Sequence, residues 1–311
     1  MQTELPGILP KPPVQVAYGM GVDSTALLVG LARRGLRPDK ILFADTGGEK
    51  RETYDYELEI QNFLSREGFP QVETVTKVIR DYKNWPPYYT LEENCLTNGT
   101  LPGISFGPAT CSVKWKQDPQ HAHIKTWPAA QAAWSTGQKV VKLIGFDASP
   151  QDRRRTFRAD ENDSKRYQFE YPLIDWGWDR TECIRQIKAA GLLVPPKSSC
   201  FFCCAMKPWE VESLTPDMLR RIVRLEARAH PRLRSTEGLW RTTVKGTRGG
   251  TPRPGSMTEF IRQKQLLPGD EVEAIWSTTM TEIVAFQEGY AAAKAAGLAE
   301  EFLASTPSPI V

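Results

Sequence analysis

Histidine is scarce in this chain of 311 residues: only His121, His123 and His230 are present. His121 and His123 are two apart, so on a helix they point to different sides, and His230 stands before Pro231. Nothing here resembles a Ser-His-Asp hydrolase, and all three read as structural or surface residues. Long apolar runs are also missing. None approaches the ~18–20 residues needed to span a bilayer, so no membrane segment is expected. The opening Met1-Gln2-Thr3-Glu4-Leu5-Pro6 lacks the basic-then-apolar build of a signal peptide. A cytoplasmic protein is therefore expected, with its cysteines reduced unless a metal holds them. No internal repeat is visible.

What is present is enough to bury a full core, with 40% hydrophobic and 25% charged residues. The net charge of +3 is unevenly spread, because Arg220 to Lys264 holds twelve basic residues against three acids. That asymmetry points to a polyanionic partner or to a solvated helix face and a charged loop.

The first thirteen residues are proline-rich and read as a lead-in. Val14–Tyr18 reads as a strand running into glycines, Asp23–Arg34 as a helix, Lys40–Asp45 as a buried strand, Glu52–Glu67 as an amphipathic helix and Val72–Val78 as a strand. That alternation predicts a parallel sheet. Asp81–Thr110 reads as a long loop, of the kind that covers a site or is disordered. A helix around Val113–Thr126 follows, then a strand at Lys139–Phe146, a polar basic stretch at Ser149–Arg166 and a strand near Phe169–Leu173. Beyond these come a helix at Arg180–Ala190, a cysteine-rich turn, basic helices around Pro216–His230, a loop at Thr242–Ser256 and a long helix near Asp270–Ala296. Three regions are expected: a lead (1–13), an α/β domain with a cysteine site (14–209) and a helical, partly basic segment (210–311). Trp176, Trp178 and Trp209 read as packing anchors.

Tyr18-Gly19-Met20-Gly21-Val22-Asp23-Ser24-Thr25 lies between a strand and a helix. Glycines there let backbone N–H groups turn towards an anion at the positive end of the helix. Ser24 and Thr25 add hydroxyl donors, and Asp23 can cap the helix or hold a metal-bound water. No Lys follows the second glycine, so this is not the Walker pattern, and the spacing is not that of the dinucleotide fingerprint. By residue type alone, a tight strand–helix turn with a capping Asp is the competing reading.

The order Gly-x-Gly-x-Asp-Ser-Thr after a strand resembles the PP-loop of the ATP pyrophosphatase superfamily. It is closest to the branch of phosphoadenosine phosphosulfate (PAPS) reductases and the reductase-like proteins of phages and DNA-modification systems. Phe43-Ala44-Asp45-Thr46-Gly47, with Glu49, Glu52, Thr53 and Tyr54, is similar to that branch's second strand, whose end meets adenine through backbone groups. Ile144-Gly145-Phe146-Asp147 with Arg153-Arg154-Arg155, and Tyr171-Pro172-Leu173-Ile174-Asp175-Trp176 with Arg180, resemble two further segments. The similarity covers roughly Val14 to Trp209. Two positions depart from it: Ala17 stands where Ser is frequent, and Met20 where a further Gly is common.

Cys200-Phe201-Phe202-Cys203-Cys204 supplies a C-x₂-C pair, a spacing that lets two thiolates chelate one metal centre or act as a redox dithiol. The resemblance implies that Cys111 joins Cys200 and Cys203 in holding an iron–sulfur cluster (4Fe–4S) or zinc. Cys204 is the candidate fourth ligand, although relatives usually have Pro there. Cys183, beside Ile184 and Ile187, reads as core, and Cys95 as an exposed thiol or a reserve ligand.

Splitting ATP between its α- and β-phosphates needs Mg²⁺ and cations on the departing pyrophosphate. Arg153, Arg154, Arg155, Lys114, Lys116 and Lys197 are the motif-linked cations. Asp23, Arg155 and Lys197 are the catalytic candidates. Tyr18, Gly19, Gly21, Val22, Asp23, Ser24, Thr25, Asp45, Thr46, Gly47, Gly145 and Asp147 are the nucleotide-binding ones.

The expected fold is α/β, a Rossmann-like parallel sheet of about five strands with helices on both faces and a C-terminal helical segment. The resemblance implies adenylation of an acceptor with release of pyrophosphate, followed by sulfur transfer to a nucleic acid component, tRNA or DNA, reached through segment 220–264. The sulfur donor is not specified. A sulfonucleotide reductase is the alternative enzyme, but no cysteine follows Cys204 and Thr110-Cys111 stands where reductases carry Cys-Cys. A nucleotide-sensing subunit of a defence or DNA-modification complex is the third expectation.

Overall fold

Ile41 and Phe43 bury into one apolar cluster, while Leu42 and Ala44 between and beside them bury into another. Successive strand residues point to opposite faces, so this strand is covered on both sides. A computed structural model of the chain describes residues 11–82, 84–103, 110–159, 165–246 and 252–310.

In chain order the first elements are β1 (Val14–Tyr18), α1 (Val22–Arg33), β2 (Lys40–Asp45), α2 (Arg51–Glu67), β3 (Val72–Thr76) and α3 (Leu91–Asn98). A π-helical stretch (Ser112–Gln117) leads into α4 (Asp118–Lys125), α5 (Pro128–Ser135), β4 (Val140–Ile144), α6 (Pro150–Ala159) and β5 (Tyr167–Glu170). Then come α7 (Pro172–Asp175), α8 (Arg180–Ala189), α9 (Pro208–Glu212), α10 (Pro216–Ala229) and a 3₁₀ turn (His230–Arg232). The last helices are α11 (Met257–Gln263), α12 (Gly269–Ala295) and α13 (Ala299–Ser305).

The chain divides into two compact units interleaved in sequence. The first comprises Met1–Asp45, Lys50–Thr76 and Gln117–Ser198. It holds a five-stranded sheet of order β3-β2-β1-β4-β5, parallel throughout. Leu27 and Leu28 of α1, Leu64 of α2 and Ile187 of α8 join the cluster on one face. Ile124 of α4 and Ala130 of α5 join the cluster on the other. The expected α/β sheet with helices on both faces is the fold of this unit. From β1 the chain fills one side of the sheet with β2 and β3, then returns to the other side with β4 and β5. This order reverses between β1 and β4, where open α/β sheets take ligands at their carboxyl ends.

The second unit comprises Thr46–Glu49, Lys77–Lys116 and Ser199–Val311. Its core gathers Leu91 and Leu96 of α3, Phe201, Phe202, Ile222 and Val223 of α10, and Ile283 of α12. α10 starts at Thr215, whose hydroxyl accepts from Met218 N, and Pro216 fits the first helical position. Its buried Glu226 accepts Leu239 N (2.6 Å), Met257 N (2.9 Å) and Thr258 N (2.7 Å), fixing both ends of the 239–257 connection.

Several expectations need correction. Asp81–Thr110 is not loop throughout, because it contains α3, begun by a reciprocal capping box of Thr90 and Glu93. The polar stretch Ser149–Arg166 contains α6, a helix with hardly an apolar residue. β5 ends at Glu170, and Pro172–Asp175 is a helical turn instead of strand. Cys95 is neither loop nor exposed but 2% accessible within α3. Trp178 is buried as an anchor should be, whereas Trp209 is 64% exposed. Among the described residues no helix is long and apolar enough to cross a membrane.

Candidate functional site

The loop after β1 is tight and internally bonded. Ser24 Oγ accepts Gly19 N (3.1 Å) and donates to Gly21 O (3.1 Å), and Thr25 N reaches the same carbonyl at 3.0 Å. Beneath it, the hydroxyls of Tyr18 and Thr25 meet at 3.1 Å, both buried. Burial pushes the Tyr18 phenol far above its ordinary range, so it stays neutral. Gly21 precedes α1 with extended angles and makes no side-chain cap, so no side chain of the cap residue takes the first amides of the helix. These amides carry the positive end of the helix dipole.

The left-handed residue of the loop is not a glycine. Met20 has φ +55° and is fully buried. Gly19 and Gly21 are not forced by backbone angle, and a Cβ on either would make ordinary contact, with Ser24 Oγ at 3.7 Å and Ser198 Cβ at 3.6 Å. The close approach is at Gly145, after β4. A Cβ there would lie 2.8 Å from Ser24 Cα and 2.9 Å from Ser24 N. Only glycine lets the β4 end rest on the first turn of α1.

Asp23, Asp147 and Asp152 each place a carboxylate oxygen within 4.8 Å of the other two. Three hard oxygen donors this close could hold a divalent cation. Each carboxylate is also tied to the protein. Arg180 Nη1 lies 2.8 Å from both oxygens of Asp23, Ser149 N donates to Asp147 Oδ1 (2.8 Å), and Arg155 Nη1 donates to Asp152 Oδ1 (2.9 Å). Burial raises the Asp23 pKa, Arg180 opposes the rise, and Asp147 and Asp152 add to it. Arg180 had no role beyond its place in a motif, since 157 residues separate it from Asp23.

Of the cationic candidates, Arg155 lies over the Phe146 ring (4.2 Å), and Phe146 stacks on Tyr171 (5.5 Å). Lys197 is exposed, and Ser198 beside it would lie 3.6 Å from a Cβ on Gly21. Val22 is buried in the α1 interface. Asp45, at the end of β2, accepts Tyr54 OH at 2.8 Å.

Thr46 and Gly47 belong to the second unit. Thr46 O accepts Leu91 N (2.9 Å), and Gly48 N donates to Thr46 Oγ1 (3.3 Å). The same hydroxyl lies 3.1 Å from Cys200 Sγ. Gly47 has φ +71°, and a Cβ there would meet Thr90 at 2.3 Å.

Cys200 pairs with Glu49 in an antiparallel bridge, and Cys203 N returns to Cys200 O (3.0 Å), closing the C-x₂-C turn. The Glu49 side chain is fully buried and accepts Lys116 Nζ at 3.0 Å. Cys111 precedes the π-helical stretch and is partly exposed, as are Cys203 and Cys204, while Cys200 is buried. Burial raises the Cys111 thiol pKa, with Cys203 adding to the rise. The Cys204 thiol is pushed up first by its hydrogen bond to Cys203, then by burial, Cys203 and Cys111. Burial also pushes the Cys200 thiol up to about 12. None of the six cysteines, all among the described residues, is in a disulfide. Among the described residues no three of these sulfurs lie within 4.8 Å of one another. Cys183 is fully buried under α1 and α8, in the core as expected.

Much of the positive charge of 220–264 is used within the second unit. Arg221 forks onto Glu92, Arg220 meets Glu271, Arg262 meets Glu273 (2.7 Å) and Lys264 meets Glu212 (3.4 Å). Buried Arg228 donates to Leu96 O (2.8 Å) and Gln287 Oε1 (2.9 Å). Arg253, in the expected Thr242–Ser256 loop, stacks over Trp240 (4.8 Å), and its backbone pairs with Val244. Arg248 lies outside the described residues. His123 meets Glu73 (2.9 Å), His121 stacks on Tyr167 (4.9 Å) and His230 meets Trp276 edge-on (5.3 Å). No protein-family model matches this chain, and no curated protein matches it.

Proposed function

We propose that this chain is an ATP-dependent adenylating enzyme of the PP-loop type. The observation that carries the reading is the first turn of α1. It opens at the reversal point of the sheet, its cap residue supplies no side-chain acceptor, and Gly145 is pressed against it. Anions settle at such a turn because its N–H groups and dipole need no rearrangement to meet them.

In the proposed reaction an acceptor oxygen attacks the α-phosphorus of ATP. The bond from that phosphorus to the bridging oxygen breaks, and pyrophosphate leaves with the electron pair. A sulfur nucleophile then displaces AMP from the adenylated acceptor. The loop amides and Ser24 hold the phosphates, and Lys197 and Arg155 offer cationic charge to the departing pyrophosphate. Asp23, with Asp147 and Asp152, would hold Mg²⁺, which neutralises phosphate charge when bound.

Cys111, Cys200 and Cys203, with Cys204 as fourth, would hold an iron–sulfur cluster, which carries or orients sulfur when bound. The acceptor we propose is tRNA or DNA, met through the exposed cations of segment 220–264.

The deciding experiment incubates the anaerobically purified protein with α-labelled ATP, Mg²⁺ and bulk tRNA or DNA. Labelled AMP with stoichiometric pyrophosphate supports the reading. Sulfite release from adenosine phosphosulfate or its 3′-phosphate, with an added dithiol supplying the two electrons and without ATP cleavage, would replace it with a reductase. Tight ATP binding with no cleavage under any of these conditions would make the chain a nucleotide-sensing subunit.

A further inference from the structure

We infer that Arg180 is a positioning residue for phosphate binding: it neutralises and restrains Asp23 so that an acidic cluster can stand at an anion site. The inference rests on the ATP reading of the loop. Three carboxylates lie together at the end of α1 that is to receive a polyanion. Asp152 has Arg155 and Asp147 has a backbone amide, but Asp23 sits in the first turn of the helix itself. A carboxylate in that turn has two other options. It can fold back onto the open amides as a cap, or it can project its charge at the incoming phosphate.

Arg180 prevents both. One nitrogen, Nη1, lies 2.8 Å from both oxygens, so neither carboxylate oxygen is left without its counter-charge. The arginine is well anchored, as the first residue of α8. Asp179 caps that helix by accepting Glu182 N at 2.8 Å. Cys183 and Ile187, fully buried, fix α8 in the same cluster as α1. The Asp23 side chain is 23% exposed and the Arg180 side chain 47%, so solvent screens the pair in part.

The test is calorimetry of ATP binding in EDTA, which removes any part played by a metal, repeated with Mg²⁺. The set is the parent chain, R180K, R180M, D23N and R180M/D23N, each checked for its thermal midpoint. R180M should bind ATP in EDTA about 10-fold more weakly, a loss of about 1.4 kcal/mol. R180K should stay within about threefold of the parent, and R180M/D23N should regain most of the loss, because the second change removes the charge left unbalanced.

Parent-like binding by R180M, or a double variant no tighter than R180M, overturns the inference. Should R180M not fold, D23N decides: it should bind ATP in EDTA at least as tightly as the parent, and weaker binding overturns the inference. If the parent binds ATP only with Mg²⁺, the metal and not Arg180 is the counter-charge, and the inference fails while the ATP reading stands. If the parent binds ATP under neither condition, the ATP reading itself fails.

Discussion

Ser24 Oγ receives the amide of Gly19 and gives its proton to the carbonyl of Gly21, so one hydroxyl staples both glycines of the loop. Removing it should loosen the loop without touching the sheet. Ser24→Ala is therefore expected to weaken ATP binding about 10-fold, and Asp23→Ala to lower pyrophosphate release about 100-fold. Both should keep the parent's circular dichroism. Parent-like pyrophosphate release by both variants would mean that this loop does not bind phosphate.

Gly145 is the second contact on which the loop depends. Gly145→Ala forces a methyl group to within about 3 Å of the Ser24 backbone, and the neighbour cannot yield because it is main chain. ATP affinity should fall at least 10-fold, with a stability loss of about 1–3 kcal/mol in denaturant titration. Gly269→Ala, with open space around it at the start of α12, is the control and should cost nothing.

Met20 reverses the usual order of truncations. Gly is normally the worse replacement, but at φ +55° a glycine relieves strain that an alanine keeps. Both lose a fully buried side chain. Met20→Ala should therefore be less stable than Met20→Gly by about 1 kcal/mol. The opposite order would show that the left-handed turn is not strained.

Sequence pattern revealed the strands of the first unit and the long helices α10 and α12 of the second, but not α3 or α6, for physical reasons. Strands such as Lys40–Asp45 are buried on both faces and so read as unbroken apolar runs. α6, reading Pro-Gln-Asp-Arg-Arg-Arg-Thr-Phe-Arg-Ala, has no apolar stripe to reveal it. α3 is short and sits among prolines and tyrosines, yet Thr90 and Glu93 have the spacing of a capping box and would have given its start. The strand–loop–helix of β1 and α1 was legible because its residues are consecutive. Arg180 against Asp23, and Thr46 against Cys200, were not, because those contacts join distant segments and leave no local periodicity.

The cysteines divide by surroundings. Cys111→Ser, Cys200→Ser and Cys203→Ser should each lose bound iron, measured by metal analysis and absorption near ~400 nm after anaerobic purification. Cys183→Ser should keep it and lose only stability, about 1–3 kcal/mol, because a hydroxyl replaces a thiol in an apolar core. Equal metal content in all four would show that the ligands lie elsewhere.

His121 makes the first unit acid-sensitive. Burial, then Lys142 and Lys125, push its pKa down to about 3 from an ordinary 6.5. Between those values the unfolded chain binds a proton that the native chain refuses, so stability falls as pH drops. The slope is up to about 1.4 kcal/mol per pH unit. His121→Gln should flatten the stability profile between pH 6 and pH 4 by about one proton. An unchanged slope would mean that the imidazole is protonated in the native state.

The interleaving of the two units has a consequence for biosynthesis. A ribosome delivers Lys77–Lys116, with Cys95 and Cys111, long before Ser199–Val311 brings the C-x₂-C turn and the helices that complete the same core. During that interval the early segment lacks most of its hydrophobic partners, and its two thiols have no companions to share a metal. Loading of the proposed cysteine-held centre would thereby be confined to the end of translation or later. Stalled chains ending before Ser199 should accordingly show no metal uptake and heightened chaperone dependence, whereas full-length chains released from the ribosome should bind metal.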